Sequence, residues 1–273
     1  MPAKIRDLEG FCLLHLLIVA FLALSACTSL ETSSDAHQSG ANPLEEIERR
    51  ILTTSHQCYV AKDASSLYAL KREMLTWDVD PEQWAAQVYW LAFADFNLAQ
   101  LEEIFGSTDQ SLLLIEQAID SLRDTATLNV EAHSLLAILF QEKIKFAPDE
   151  TFELVTQVRN QISSAIELDS ENLRAQLANV MNSVIEIPGF GRSVDPEETI
   201  ALALEKASLD SADIYSQSTF AHAPTWGLAR ILGFEVIYHM NIGNTEHAVE
   251  AITRALEEFP DHYWLMELAA RIE

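Results

Sequence analysis

The chain has 273 residues, of which 42 are acidic and 17 are basic, so its formal net charge is −25. A field of that sign repels phosphate groups, which disfavours nucleic acid and anionic lipid as partners and favours cationic ones. After the first apolar run, no segment is apolar for long enough to cross a membrane, and the length suffices for one large domain.

Residues 1–26 are typical of a bacterial export signal. The run 11–24 is apolar except for His15, and it is shorter than the roughly 20 residues that span a bilayer. It leads into Leu24-Ser25-Ala26-Cys27, which resembles the lipobox of bacterial lipoproteins. That resemblance implies that Cys27 carries a lipid and becomes the new N-terminus. A secretory signal with an incidental cysteine, or a short uncleaved anchor, is the alternative interpretation.

Residues 27–43 are predicted to be a lipidated, flexible tether, because they are rich in Ser, Thr and Ala and show no periodicity. A flexible segment of this length reaches about 20 Å. Thr28 stands where an Asp would resemble an inner-membrane retention signal. The resemblance therefore implies a protein anchored to the outer membrane and facing the periplasm.

Cysteine and histidine residues do not form a recognisable site. Cys12 lies in the signal, so Cys58 would stand alone beside Cys27 in the mature chain, and no intramolecular disulfide is expected there. The sequence His56-Gln57-Cys58 lacks a further pair of ligands, so we expect a half-buried thiol on a helix. We predict no metal and no cofactor.

A repeat with a period of about 45 residues organises the rest of the chain. Four similar helix ends are marked by alanines at 118, 165, 207 and 255. Residues 165–170 and 255–260 resemble the end of the second helix of a tetratricopeptide repeat (TPR), although the usual TPR period is 34 residues. The units are therefore TPR-like.

The predicted helices fall into two kinds. Residues 245–259 and 196–209 each carry a single apolar stripe with charged residues opposite. Residues 82–105, 172–187 and 225–240 are apolar on nearly every face. Helices of the second kind must be covered on all sides, as in a solenoid that sandwiches one helix of each pair between its neighbours.

These patterns predict an all-α domain over 44–273, a TPR-like solenoid of helix pairs without strands. The pairs are expected at 44–77, 80–124, 130–169, 171–210 and 225–260, and a terminal helix at 263–272 is expected to cap the open end. Asp80-Pro81 and Asp195-Pro196 are predicted helix starts. Five tryptophans are expected in the core: Trp77, Trp84, Trp90, Trp226 and Trp264.

The loop at 188–195, Pro-Gly-Phe-Gly-Arg-Ser-Val-Asp, is one candidate binding feature. Its glycines permit unusual backbone angles, and Arg192 beside Phe190 could clamp a carboxylate before a helix N-terminus. The alternative is a plain interhelix connection that needs glycine for a tight reversal.

Polar residues inside the apolar helices are the second candidate, because polar groups converging on an apolar cavity form small-molecule sites. They are Asp95, Asn97, Asn182, Glu186, Arg230 and Glu235. Of these we single out Asp95, Asn182 and Glu235 as candidate ligand or partner contacts. The alternative is that these polar side chains form hydrogen bonds or ion pairs between helices, or that they lie on the exposed edges of the helices.

No catalytic signature is present, so we expect a protein that is not an enzyme. The lipobox, the tether, the long helix pairs and residues 189–207 and 241–260 are together similar to the T component (TatT) of tripartite ATP-independent periplasmic (TRAP) transporters. That resemblance implies a periplasmic lipoprotein that docks a substrate-binding protein. A carrier that buries a small hydrophobic ligand between helices, and an envelope-assembly adaptor, are the alternatives; the protein could form oligomers in any of these roles.

Overall fold

The computed structural model describes residues 44, 46–123, 129–191, 194–209 and 224–272. These residues form eleven α-helices and no strand, as predicted. The helices are α1 (Ile47–Ala61), α2 (Ser65–Met74), α3 (Trp84–Phe105), α4 (Thr108–Arg123), α5 (Val130–Ile144), α6 (Thr151–Leu168), α7 (Leu173–Val184), α8 (Pro196–Leu209), α9 (Leu228–Asn241), α10 (Thr245–Glu258) and α11 (Tyr263–Ile272), with a 3-10 turn at Pro148–Glu150. Cys27, the predicted signal and tether, and Arg192 lie outside the described residues.

Helices α1 to α10 pack as five antiparallel pairs within the five predicted ranges, and α11 has the predicted bounds. Side-chain caps set several boundaries. Asn172 accepts hydrogen bonds from the backbone N–H groups of Arg174 and Ala175 at 3.0 and 3.1 Å, and Asn129 caps α5 in the same way. The predicted start at Asp195-Pro196 is confirmed. The start at Asp80-Pro81 is wrong, because 81–83 form a turn and α3 begins at Trp84.

The helices differ in burial: α3, one of those predicted to be apolar on nearly every face, is covered as expected, whereas α9, another of them, is partly exposed over its last two turns. Every residue of α3 from 92 to 101 and every residue of α5 from 134 to 142 is buried, so both helices are covered on all faces. Helix α10 buries only a stripe, formed by Ala248, Ala251, Ile252 and Ala255. In these pairs the first helix supplies the core and the second supplies the wet outer face, whereas α1 buries only Ile47, Ile51, Ser55 and Cys58.

The last elements pack against the first ones, which an open solenoid does not require. The Tyr263 hydroxyl of α11 donates to Gln100 Oε1 of α3 at 2.9 Å, and the Tyr59 hydroxyl of α1 donates to Glu267 Oε2 of α11 at 3.2 Å. Helix α11 therefore covers α9 and α10 and also joins them to the first two pairs. The expected open end is closed by the chain's own N-terminal helices.

Two local features refine the core. Gly233 of α9 lies directly under the ring of Trp264, and a Cβ on Gly233 would fall 2.2 Å from Trp264 Cζ3. Trp90 and Trp226 are buried, whereas Trp84 is 48 % exposed because it is the first residue of its helix. No helix within the described ranges combines the length and the hydropathy that a membrane span needs.

Candidate functional site

A cavity of about 290 Å³ opens where the beginning and the end of the described chain meet. We call it the apolar cavity. Most of its wall is aromatic or aliphatic, as in many small-molecule sites. It is lined by Glu48, Leu52, Phe93, Leu173, Ala207, Thr225, Trp226, Gly227, Leu228, Ala229, Arg230, Phe259 and His262.

The segment just before α9 shapes the cavity wall. The Trp226 ring stacks on Phe93 with centroids 4.6 Å apart, and its Nε1 donates to the Tyr89 hydroxyl at 2.9 Å. Gly227 follows with a φ of 135°, which side chains rarely adopt, and a Cβ there would contact Leu173 at 3.4 Å. Glycine at this position lets α9 start close against α7.

A buried ion pair holds the cavity wall in place beside Leu173. Arg174 holds Glu131 with two hydrogen bonds, Nε to Oε2 at 3.0 Å and Nη2 to Oε1 at 2.6 Å. Asn172 Nδ2 donates to the same Oε1 at 2.7 Å. The paired geometry joins α7 to α5 and compensates both buried charges.

Glu48 is the acidic group of the apolar cavity. One of its carboxylate oxygens accepts from the Thr225 backbone N–H at 2.7 Å, and the other accepts from the Thr225 hydroxyl. Burial raises the pKa of Glu48, and the two hydrogen bonds oppose that rise. This carboxylate is therefore already used to tie the start of α9 to α1.

Arg230 is the basic group, and its surroundings differ from those of Glu48. It is 5 % exposed, its Nη2 donates to Gln100 Oε1 at 2.6 Å, and its guanidinium lies 4.5 Å from the Phe96 ring and 5.3 Å from the Trp264 ring. Cation–π contacts of this kind partly replace lost hydration. Burial lowers the pKa of Arg230, but an arginine stays charged.

His262 lies beside Arg230 in the connection between α10 and α11. Burial, and then the charge of Arg230, lower the pKa of His262 to about 3, so its imidazole is neutral at physiological pH. Its Nδ1 is buried and has no hydrogen-bond partner among the described residues. The polar end of the apolar cavity thus holds one cation and one neutral imidazole.

A second cavity of about 340 Å³ lies on the other side of Arg230. We call it the polar cavity. Its wall carries three carboxylates, Glu103, Glu142 and Glu267, opposed by Lys145 and Arg271 as well as Arg230. Lys145 pairs with Glu142 at 2.6 Å and with Glu103 at 3.4 Å. This surface is already neutralised by its own charges.

The sequence-derived candidates are not brought together. Asp95 is buried on α3 and pairs with Lys71 Nζ of α2 at 2.5 Å, and burial raises its pKa to about 6 against the effect of that lysine. Glu235 of α9 pairs with Arg254 of α10. Asn182 is partly buried on α7. None of the three lines either cavity. Asp95 and Glu235 instead form ion pairs between neighbouring helices, which is the alternative that the sequence left open.

Phe190 lies apart from both cavities, in the loop between α7 and α8. Its ring is 6.0 Å from that of Phe152, the most exposed large apolar side chain described at 77 %, and its carbonyl accepts from Arg159 Nη2 at 3.5 Å. Gly189 and Gly191 have positive φ angles, as the loop sequence indicates. The half-buried Phe190 therefore supports the exposed ring of Phe152, while Arg192 is not described.

Sequence reasoning noted Arg230 only as one polar residue among six, and it missed Glu48, Thr225 and His262 as neighbours of a cavity. No sequence pattern marks His262, because it lies in a connection between helices and its neighbours in the cavity wall are distant in sequence. Among the described residues, no group of three or more His, Cys, Asp or Glu side chains could hold a metal ion. Comparison with family models, with curated proteins and with solved structures finds no match to the chain.

Proposed function

We propose that this chain is a binding protein rather than an enzyme, and that it carries a small, largely apolar molecule in the apolar cavity. The observation that supports the proposal is the composition of the wall: Phe93, Trp226, Leu173 and Phe259 surround a space of about 290 Å³. At about 30 Å³ for each water-sized group, that space holds about ten non-hydrogen atoms. Burial of apolar ligand surface supplies the affinity.

Native mass spectrometry of the protein purified under mild conditions tests the proposal, with a cavity-filling variant for comparison. Ala207→Phe places a ring in the cavity, and Ala201→Phe adds the same volume on the exposed side of the same helix. We expect an added mass on the wild type and on Ala201→Phe, and only bare protein for Ala207→Phe. Bare protein in all three samples contradicts the proposal.

The architecture and the location belong to the same proposal. We infer that the five helix pairs form a TPR-like solenoid whose last helix contacts the first ones. In the sequence, this domain follows a signal at 1–26 and a tether at 27–43. Cys27 carries the lipid, and the domain faces the periplasm from the outer membrane. The repeated alanines and the wholly covered helices α3 and α5 support the TPR-like assignment.

A second candidate function is the docking of a protein partner, as in a TRAP transporter T component that receives a substrate-binding protein. The exposed ring of Phe152, which packs on the half-buried Phe190, favours it, because exposed aromatic side chains are typical anchors of interfaces. Docking and ligand carriage are compatible, since the pair lines neither cavity.

Site-specific photocrosslinking in cells tests docking. A benzoylphenylalanine replaces Phe152 in one strain and Leu113, which is 46 % exposed on α4, in the control strain. We expect one discrete crosslinked periplasmic substrate-binding protein from position 152 and none from position 113. Equal crosslinking from both positions, or none, contradicts the docking role.

A further inference from the structure

Arg230 carries a positive charge that no carboxylate of the described residues neutralises by an ion pair. Its contacts are the Gln100 amide oxygen, the Tyr263 hydroxyl and two aromatic rings. Tyr263 and then Glu142 are the acidic groups that most affect its charge, and Glu142 itself pairs with Lys145. Arg174, the other buried arginine, has a bidentate carboxylate partner in Glu131.

Removing a guanidinium from water is costly unless a counter-charge is supplied. Rings and neutral oxygens stabilise the cation only in part, because the strong partners of arginine are anions that accept from two of its N–H groups. Arg230 lies in the wall of the apolar cavity, so a bound molecule can supply that counter-charge.

The two cavities differ in how they would receive an anion. In the polar cavity, Lys145 pairs with Glu142 and Glu103, and Arg271 pairs with Glu267, so the carboxylates there compete with an anion for the basic side chains. Among the described residues that line the apolar cavity, Glu48 is the one carboxylate, and both of its oxygens already accept hydrogen bonds from Thr225. His262, in the same wall, has a buried Nδ1 without a partner among the described residues.

We propose that the apolar cavity takes an organic monoanion of about ten non-hydrogen atoms, with its charged head on Arg230 and His262 and its tail along Phe93 and Trp226. This inference rests on the proposed function and adds the charge of the ligand to it. The anion supplies the missing partner of the guanidinium, and the stacked rings receive the apolar tail.

Isothermal titration of the whole protein with matched probes tests the inference. Octanoate and octanamide each have ten non-hydrogen atoms and the same tail, and they differ in charge. We expect octanoate to bind the wild type about ten- to a hundredfold more tightly, the usual effect of a charge-assisted hydrogen bond. Octylammonium, the opposite charge, is expected to bind more weakly than octanamide.

Arg230→Gln is expected to remove the preference for octanoate over octanamide, because the variant has no positive charge at the head of the cavity. Arg50→Gln is the control, because Arg50 also lies over a ring, that of Trp77, but pairs with Glu73 and lines neither cavity. Arg50→Gln should keep the full preference. If Arg230→Gln does not fold, the wild-type comparison of the three probes decides.

The outcomes separate the inference from the proposed function. Equal binding of octanoate and octanamide, tighter binding of octylammonium, or an unchanged preference in Arg230→Gln overturns the anion inference and leaves a carrier of neutral or cationic ligands. Failure of all three probes to bind the wild type overturns both.

Discussion

Gly233→Ala tests how closely the terminal helix approaches α9. The added Cβ would lie 2.2, 2.9 and 3.0 Å from Trp264 Cζ3, Cη2 and Cε3, whereas carbon atoms in contact are about 3.5–4.0 Å apart. The indole has to move by more than about 1 Å. It cannot do so freely, because it packs on Phe234 with centroids 5.3 Å apart and also covers the Arg230 guanidinium.

The expected cost combines two opposing contributions. Overpacking of this kind costs about 1–3 kcal/mol, and we take the upper value because the clash is with a rigid ring. Replacement of glycine by alanine within a helix stabilises by about 1 kcal/mol. The net effect on the free energy of unfolding is then a loss of about 2 kcal/mol.

Urea-induced unfolding, followed by circular dichroism, measures that loss, and the Trp264→Leu background supplies the control. Without the indole, Gly233→Ala should stabilise the protein by up to about 1 kcal/mol, so the sign of its effect reverses. The coupling between the two positions is then about 3 kcal/mol. Stabilisation by Gly233→Ala in both backgrounds would refute the close packing of α9 and α11.

Three further predictions concern buried titratable groups and the lipid anchor. The pKa of Asp95 is raised to about 6, so the folded protein holds this proton more tightly than the unfolded chain, and its free energy of unfolding falls as the pH rises from 4 to 7. Asp95→Asn lacks this titration and should therefore gain about 2 kcal/mol of unfolding free energy relative to the wild type over that interval. Urea titrations measure the difference between the two proteins, and a difference that stays constant with pH would contradict the prediction. The pKa of His262 is lowered to about 3, so on acidification the unfolded chain takes up a proton before the folded protein does. Between pH 7 and pH 5 the wild type should therefore lose about 2 kcal/mol of unfolding free energy relative to His262→Gln, as measured by urea unfolding at both pH values. An equal change in the two proteins would exclude a buried neutral imidazole. Cys27→Ser should abolish labelling by radioactive palmitate and release the protein from the membrane fraction, whereas persistent labelling would place the lipid elsewhere.

The fold was predictable because its signals are local. A helical period of 3.6 residues, the caps near Asp195 and Asn244, and the contrast between striped and wholly apolar helices define the five pairs and α11 without any tertiary information. The start of α3 was missed, because Asp80-Pro81 has the composition of a cap but the chain makes a turn before Trp84.

The site was not predictable in the same way, because it depends on contacts between distant residues. Tyr263 reaches Gln100 across 163 positions, and Thr225 reaches Glu48 across 177. Nothing local distinguishes Asp95, which Lys71 neutralises, from Arg230, which has no such partner. Both appear in the sequence as single charges in apolar helices, and only the packing of the chain's ends separates them.

Nuclear Overhauser contacts between carbon-13-labelled octanoate and the protein test the central claim most directly, because they locate a bound molecule. We predict contacts from the methylene protons of the tail to the rings of Phe93 and Trp226, and their loss in Ala207→Phe but not in Ala201→Phe. Contacts confined to the rings of Phe152 and Phe190, or none, would contradict a carrier that holds its ligand where the first and last helices meet.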